Sequence, residues 1–337
     1  MQPGSQPGSQ PGSQPGSRSG TASRCDREAH ITRRTLNHAV RLRGVGLHDG
    51  APASVSISPA PADTGVVFLR AEAPGRPLPA RYDHVVETPL STRLGTPDGL
   101  AAGGVEHLMA ALAAAGIWDA LVSLEGGEVP ALDGSALPFL RAFADAGLRE
   151  LAAPCRAIRI LRPVSVGHGD GLARLSPAPR FEMAFSIRFA DPAIGAQSKV
   201  LALTGDAVAV ELADSRTFGC LADVARLRRL GLGRGGGLDN AIVVDRGRVL
   251  NPQGLRHADE FVRHKMLDAV GDLALAGAPI IGRYTGVRAG HALTNRLLRR
   301  LFATPGAWAW CEAGPDQVPG GPLALPAMHG TAAALAV

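Results

Sequence analysis

A segment late in the chain carries three metal-binding or acid–base side chains at helical spacing. His264, Asp268 and Asp272 follow one another at intervals of four, so on an α-helix they form one polar stripe beside apolar faces. A histidine and an aspartate one turn apart can both reach a single metal ion. The alternative interpretation is an exposed helix face that carries salt bridges: Asp259 with Arg263, and Glu260 with His264.

A third metal ligand would have to come from elsewhere, because a catalytic zinc takes three protein ligands and keeps one position open for water. His107 is the candidate, since it opens an apolar helical segment. Glu106 beside it could act as a base on water without binding the metal. The alternative is a solvated pair at a helix start, where the dipole favours a carboxylate.

Two further segments could contribute polar groups. His291 follows Gly290 at the start of the last predicted helix, where the dipole would tune its pKa, although it could equally be only a first-turn residue. The segment Ser215–Gly219 brings a hydroxyl and an aromatic ring ahead of the glycine-rich Gly231–Gly237. That loop could let backbone approach a ligand closely or serve only as a flexible connector. The chain has no phosphate-loop or dinucleotide fingerprint.

Strands and helices must position these groups. Alternation of apolar and polar residues in Ala53–Ser58 and Phe181–Phe189 predicts half-buried strands, and Asp245–Arg248 predicts a hairpin turn. Strand and helix patterns occur in both halves of the chain, which favours an α+β fold with sheets covered by helices. Five helices are predicted from apolar spacing: Val105–Ala115, Leu137–Ala146, Leu221–Leu230, Ala258–Ala276 and Ala292–Phe302.

The 337 residues suffice for two ordinary domains. Gly147–Pro154 is the predicted boundary, which gives a first domain of residues 31–150 and a second of 151–303. The Gln-Pro-Gly-Ser repeat of Gln2–Ser17 predicts a disordered tail over residues 1–30. Residues 304–337 are rich in alanine, proline and glycine without periodicity, so we expect a loosely ordered tail.

Composition excludes several classes of protein. The net charge of +5 is carried almost wholly by dispersed arginines, and aromatic residues make up only 4%, which argues against nucleic-acid binding. No apolar run is long enough to cross a bilayer, and the Gln-Pro-Gly-Ser segment has neither the apolar core of a secretory signal nor the Arg-rich amphipathic period of a transit peptide. We therefore expect a cytoplasmic protein without stable membrane insertion. The four cysteines have neither metal-like nor disulfide-framework spacing: Cys25, Cys155, Cys220 and Cys311.

Taken together and in order, these segments resemble the UDP-3-O-acyl-N-acetylglucosamine deacetylases of Gram-negative bacteria over most of the chain, from Arg34 to Phe302. The order of the motifs carries the resemblance more than any single one. The matching segments are Arg34–Leu36, Gly44–His48, Val105–Leu108, Pro130–Ser135, Arg216–Gly219, Leu238–Asp245, Asp259–Asp272 and Gly290–Leu293.

The resemblance implies a fold of two similar α+β domains, each a sheet layered against helices, with a zinc site where the domains meet. By position, His107, His264 and Asp268 match the Zn²⁺ ligands. Glu106 matches the general base, and His291 the electrostatic stabiliser or general acid.

Other matches assign supporting roles. Asp272 matches the carboxylate that orients the stabilising histidine, and Thr217 the hydroxyl that helps to hold the oxyanion. Lys265 matches a lysine that meets the substrate phosphates. Phe189 matches the aromatic residue on which uracil stacks, and Phe218 is assigned to the substrate site with it. The segment Thr88–Arg93 lies near the acyl-chain entrance of the family and carries a proline and an arginine where apolar or thiol residues are usual.

The implied activity is zinc-dependent hydrolysis of the N-acetyl group of an acylated UDP-amino sugar, the committed step of lipid A biosynthesis, by a protein expected to be a monomer. A zinc amidohydrolase for a different N-acyl sugar is one alternative. A silent paralogue that binds nucleotide sugars is another, but it predicts a broken site, whereas every proposed ligand and catalytic group is present.

Overall fold

The computed structural model describes residues 30–86, 90–323 and 325. The tail predicted over residues 1–30 lies outside this range except for His30, as do Thr88, Pro89 and residues 326–337. Among the described residues, no helix combines the length and the apolar character needed to span a bilayer.

Helices and strands occur in both halves of the described chain. The α-helices are α1 Glu106–Ala114, α2 Leu137–Ala146, α3 Ala207–Glu211, α4 Leu221–Arg229, α5 Glu260–Ala274 and α6 His291–Phe302, and a 3₁₀ helix spans Tyr82–His84. The strands up to residue 154 are β1 Thr32–Leu36, β2 Val40–Val45, β3 Pro52–Pro59, β4 Val66–Arg70, β5 Ala73–Pro79, β6 Val85–Val86, β7 Arg93–Gly95, β8 Ala101–Ala102, β9 Ala120–Glu125 and β10 Leu148–Pro154. The later strands are β11 Arg156–Ile160, β12 Val164–His168, β13 Gly171–Ser176, β14 Glu182–Arg188, β15 Ala196–Ala202, β16 Phe218–Cys220, β17 Ile242–Asp245, β18 Arg248–Val249, β19 Ile280–Ile281, β20 Arg283–Val287 and β21 Trp308–Glu312.

Each half contains a five-stranded sheet, and the two sheets have the same design. The first has the order β2-β3-β9-β4-β5 and the second β12-β13-β20-β14-β15. In both, two antiparallel hairpins flank a central strand that pairs antiparallel with one hairpin and parallel with the other. The fold is therefore α+β with two similar halves, as predicted.

Four smaller sheets complete the described chain. Their strand orders are β1-β10, β19-β11-β21, β6-β7-β8 and β16-β17-β18. The segment predicted as the domain boundary is itself strand β10, which pairs back to β1 in antiparallel fashion. The hairpin predicted at Asp245–Arg248 is confirmed, and both central residues have positive φ, 47° at Arg246 and 80° at Gly247, as a type I′ turn requires.

Helices α1 and α5 pack directly against each other and join the two halves. In α1 every residue except His107 is buried, which explains why its sequence is apolar nearly all round. The backbones approach most closely at Gly271, where an added Cβ would lie 1.9 Å from the carbonyl oxygen of Glu106. Only glycine fits this position, so the start of α1 rests on the side of α5.

The helix predictions hold to within two residues at each end, but α3 was not predicted. The expectation of a loose tail from residue 304 is wrong where strand β21 forms, because Trp308–Glu312 pairs antiparallel with all of β11. Ala313 and Val318, which follow, are also buried. The partner of this strand is more than a hundred residues away in the sequence, so the pairing could not be predicted from local periodicity.

Candidate metal centre

Three side chains from the two halves converge where α1 meets α5. His107 lies in the first turn of α1, and His264 and Asp268 lie one turn apart on α5. Their potential ligand atoms all lie within 4.8 Å of one another. Asp268 Oδ1 lies 3.3 Å from Nε2 of His107 and 3.4 Å from Nε2 of His264. Two imidazoles and a carboxylate in this arrangement could hold one metal ion.

The surroundings of His264 and Asp268 favour the protonation states that a metal ligand requires. The Nδ1 atom of His264 lies 3.2 Å from the carbonyl oxygen of Ser215, so a proton held there leaves Nε2 with its lone pair towards the site. Burial lowers the pKa of His264 to about 4, which keeps the ring neutral. Burial alone would raise the pKa of Asp268, but His264 and Lys265 hold it well below its usual range. The Lys265 ammonium donates to Asp268 Oδ2 at 2.6 Å.

A buried ion pair brings the Ser215 carbonyl to this position. The Arg216 guanidinium donates to both carboxylate oxygens of Glu260, at 2.9 and 3.1 Å, and both side chains are almost wholly buried. Glu260 is the first residue of α5, so the pair ties the chain at residue 216 to the start of that helix. The alternative interpretation of this helix predicted two salt bridges. Glu260 pairs with Arg216 instead of His264, whereas Arg263 does donate to Asp259, at 2.6 Å.

Glu106 lies beside the three candidate ligands and points into a cavity that His107 and Thr217 also line. Its Oε2 accepts a hydrogen bond from the backbone N–H of Thr92 at 3.0 Å. Burial raises the pKa of Glu106, because no solvent compensates its charge. A carboxylate whose pKa is shifted towards neutrality is well suited to accept and return a proton.

His291, the first residue of α6, closes the opposite side of the site. Its Nδ1 lies 2.9 Å from Asp272 Oδ2, and its Nε2 lies 3.8 Å from Asp268 Oδ2. Burial lowers the pKa of His291, but the adjacent carboxylate of Asp272 outweighs it and raises the pKa to about 9. The ring is therefore a cation near neutral pH, and its Nε2–H faces the candidate metal site.

Thr217 is held in place by glycine-dependent packing between two distant loops. Its backbone N–H donates to the carbonyl of Gly134 at 2.8 Å, and its carbonyl accepts from Ile242 at 2.7 Å. Gly134 has φ of 82°, and a Cβ there would lie 2.0 Å from the carbonyl oxygen of Asn240. Two of the segments that carry the family resemblance, Pro130–Ser135 and Leu238–Asp245, thus contact Thr217.

The residues predicted to meet substrate form an aromatic wall next to the ligands. The rings of Phe189 and Phe218 meet edge to face with centroids 5.3 Å apart, and Phe218 lies 5.8 Å from the ring of His264. Phe189 is 38% exposed. Lys265 is near the same site, although its ammonium is directed to Asp268.

Two residues of this site were not predicted from the sequence. Thr92 was assigned only to a segment near the acyl-chain entrance, yet its backbone N–H holds Glu106 and its hydroxyl donates to Asp272 Oδ1 at 2.5 Å. His48 received no role, although it lines the same cavity as Glu106. Its buried Nδ1 has no hydrogen-bond partner among the described residues. For His48 the only signal was its place in the Gly44–His48 motif.

Comparisons with known proteins show the family of this chain. The sequence profile of the family described as UDP-3-O-acyl N-acetylglycosamine deacetylase matches residues 33–303. The UDP-3-O-acyl-N-acetylglucosamine deacetylase of Phenylobacterium zucineum is 50% identical over 276 residues, which cover 81% of this chain and 94% of the relative. Those of Myxococcus xanthus and Acidithiobacillus ferrooxidans are 47% and 45% identical, over 84% and 86% of this chain and 90% and 96% of their own lengths. This chain belongs to the UDP-3-O-acyl-N-acetylglucosamine deacetylase family.

Proposed function

We propose that this protein removes the acetyl group from UDP-3-O-acyl-N-acetylglucosamine and releases acetate and UDP-3-O-acyl-glucosamine, the committed step of lipid A biosynthesis. The observation that carries the proposal is the convergence of His107, His264 and Asp268 beside the buried carboxylate of Glu106. The names of the relatives supply the substrate. A cytoplasmic location and a monomeric state stay predictions.

Zn²⁺ is the metal that the site suits best. Two ligand atoms bound at about 2.0–2.1 Å to one tetrahedral zinc lie about 3.3 Å apart. The distances from Asp268 Oδ1 to the two imidazole nitrogens are 3.3 and 3.4 Å. The carbonyl behind His264 and the ammonium behind Asp268 supply the outer contacts that usually orient zinc ligands.

When bound, zinc would supply Lewis-acid polarisation of the acetamide carbonyl and of the attacking water. Glu106 takes the proton of that water as its oxygen adds to the carbonyl carbon. The Thr92 backbone N–H fixes one oxygen of Glu106, so the carboxylate is oriented before substrate arrives. A base in place in this manner typically contributes about 10² to 10⁴ in rate.

Negative charge that develops on the carbonyl oxygen meets two groups of the chain. The Thr217 hydroxyl donates a hydrogen bond to it, and the His291 imidazolium stabilises it through Nε2–H. Asp272 holds His291 by Nδ1, which keeps the other nitrogen directed at the site. Collapse of the tetrahedral intermediate breaks the C–N bond, and the departing amine takes a proton from either Glu106 or His291.

Recognition of the rest of the substrate falls to the wall beside His264. The exposed ring of Phe189 offers a stacking surface for uracil, with Phe218 supporting it from the side. Lys265 is the proposed cation for the diphosphate, and to meet it the ammonium moves away from Asp268 Oδ2, which it contacts in this structure.

The deciding experiment measures acetate release from the 3-O-acylated UDP-sugar and from its non-acylated counterpart, before and after chelation and after zinc is restored. We expect turnover of the acylated substrate only, abolished by chelator and recovered with zinc. Equal turnover of both sugars would favour a different N-acyl sugar as the substrate. Turnover that persists without metal would contradict the metal site.

A further inference from the structure

One segment that carries the family resemblance, Pro130–Ser135, contributes no acid, base or metal ligand to the proposed chemistry. Its backbone is unusual, because Leu132 has φ of 55° and Gly134 has φ of 82°, so the residues on both sides of Asp133 lie in the left-handed region. Leucine rarely adopts this conformation, which persists only where the surrounding structure holds it. The contacts of Asp133 show how this loop is held.

Asp133 forms hydrogen bonds within its own loop and with the second half of the molecule. Its Oδ1 accepts from the backbone N–H and from the hydroxyl of Ser135, at 2.9 and 2.8 Å. Its Oδ2 accepts from the guanidinium of Arg256 at 3.0 Å. The two side chains are 30% and 18% exposed, so solvent screens this ion pair only in part. The pair joins the two halves at a point separate from the contact of α1 with α5.

The same guanidinium also contacts the segment that leads to Thr217. Nη1 of Arg256 donates to the carbonyl oxygen of Asp214 at 2.7 Å. The carboxylate of Asp214 is buried and lies 2.9 Å from Nε2 of His257, the residue that follows Arg256. Two consecutive residues therefore fix Asp214, one through its main chain and one through its side chain.

Each partner of the Arg256 guanidinium immediately precedes a residue that bears on the candidate site. Gly134 follows the first partner, and its carbonyl accepts the backbone N–H of Thr217 at 2.8 Å. Ser215 follows the second partner, and its carbonyl oxygen lies 3.2 Å from Nδ1 of His264. One guanidinium thus holds the two segments whose separation sets where Thr217 lies relative to His264.

We propose that Arg256 is a positioning residue for the deacetylation, which sets the Thr217 hydroxyl by holding Asp133 and the carbonyl of Asp214 at a fixed separation. This role rests on the proposed function, because it serves the contact of Thr217 with the oxyanion. Arginine suits it better than lysine, since a planar guanidinium presents several donors in fixed directions to two different segments.

Steady-state kinetics of acetate release by the zinc-loaded protein test this role. Arg256→Ala should lower kcat about tenfold with KM and zinc content nearly unchanged, because the Thr217 hydroxyl is displaced but still present. The main-chain N–H of residue 256 still donates to Glu260 in this variant, so the buried pair at the start of α5 remains. Arg256→Lys should recover only part of the rate. Arg174→Ala, at an exposed arginine of β13, is the control and should keep the wild-type kcat.

Combination with Thr217→Val distinguishes this role from a general loss of structure. If Arg256 acts through the hydroxyl, Arg256→Ala should change kcat by no more than about twofold in the Thr217→Val background, since the effects of coupled residues do not add. An equal loss of kcat in both backgrounds, an effect on KM alone, or a wild-type kcat in Arg256→Ala would overturn the proposal.

A measurement without turnover tests the contact between the halves. Asp133→Asn keeps the oxygen that faces Ser135 and removes the charge that faces Arg256. In urea unfolding, the double variant should be about as stable as Arg256→Ala alone, because the two single substitutions remove the same ion pair. Additive losses would overturn the proposal. Coupled losses in a protein whose wild type releases no acetate from the acylated UDP-sugar would contradict the proposed function and not the contact.

Discussion

The two halves of the molecule share one sheet design and use their central helices differently. In the first half, α1 offers only its first turn to the site, and the remainder is apolar and buried. In the second half, α5 offers its side, with His264, Asp268 and Asp272 in one stripe. A helix end can direct two consecutive residues at one point, whereas a helix side needs residues spaced by a full turn. Repetition of a fold thus does not require repetition of chemistry.

The largest expected effect distinguishes Glu106, the proposed base in the first half, from His264, a proposed metal ligand in the second half. Glu106→Gln should lower kcat about 10³-fold while the metal content stays unchanged, because the base does not bind metal. His264→Ala should lose the metal itself. Acetate assays combined with elemental analysis measure both.

Glu125→Gln, an exposed carboxylate of the first half, serves as the control and should retain full activity. A Glu106→Gln protein that purifies without metal, or a fully loaded His264→Ala protein, would refute the separation of roles.

Each half also contains a buried arginine–carboxylate pair, and only the second bears on the site. Arg33 and Asp119 pair in the first half at 2.6 Å, and Arg216 and Glu260 in the second at 2.9 Å. Glu260→Gln leaves the Arg216 charge buried without its partner, so the free energy of unfolding should fall by about 3 kcal/mol or more. Urea denaturation measures it, with the half-exposed Glu211→Gln as the control.

The loss of unfolding free energy caused by Glu260→Gln should become smaller as the pH falls. Burial raises the pKa of Glu260, but the hydrogen bonds and charge of Arg216 outweigh it and hold the pKa below its usual value. Its contribution is therefore complete above the unfolded pKa of about 4.3 and is lost as pH falls through the lower folded value. The difference between wild type and Glu260→Gln should shrink on acidification. A constant difference would mean that the carboxylate is not ionised in the folded protein.

Substitutions at Thr217 test whether the second half also supplies a hydroxyl that stabilises the oxyanion. Thr217→Val should lower kcat about 100-fold with little change in KM, because the hydrogen bond forms only as charge develops. Thr217→Ser retains the hydroxyl and should recover most of the rate. Equal losses in both variants would assign Thr217 a packing role instead.

The smallest expected effect concerns substrate recognition. Phe189→Leu should raise KM about tenfold and leave kcat near its wild-type value, since a stacked base typically contributes about 1 to 3 kcal/mol. With a substrate that lacks the nucleoside, the variant and the wild type should not differ. A persistent difference there would place Phe189 against another part of the substrate.

Local patterns predicted much of this molecule. The polar stripe on α5, the apolar run of α1 and the alternation in β14 each lie within a single element, so the spacing of residues along the sequence was enough to predict them. Contacts between distant segments were not predictable in this manner. Thr92 reaches Asp272 across 180 positions, and Arg216 reaches Glu260 across 44, with no periodicity linking either pair. Strand β21 was missed for the same reason, because its partner β11 is remote in sequence.

The close approach of Gly271 to the Glu106 carbonyl has a consequence for how the family can diversify. Because the main chains of α1 and α5 are in contact there, the distance between the candidate metal ligands of the two halves is set by the backbone and not by adaptable side chains. Changes in loops away from this crossing then leave that distance unaltered. Conversely, a methyl group added at Gly271 would push α1 and α5 apart and move Glu106 and His107 away from His264 and Asp268.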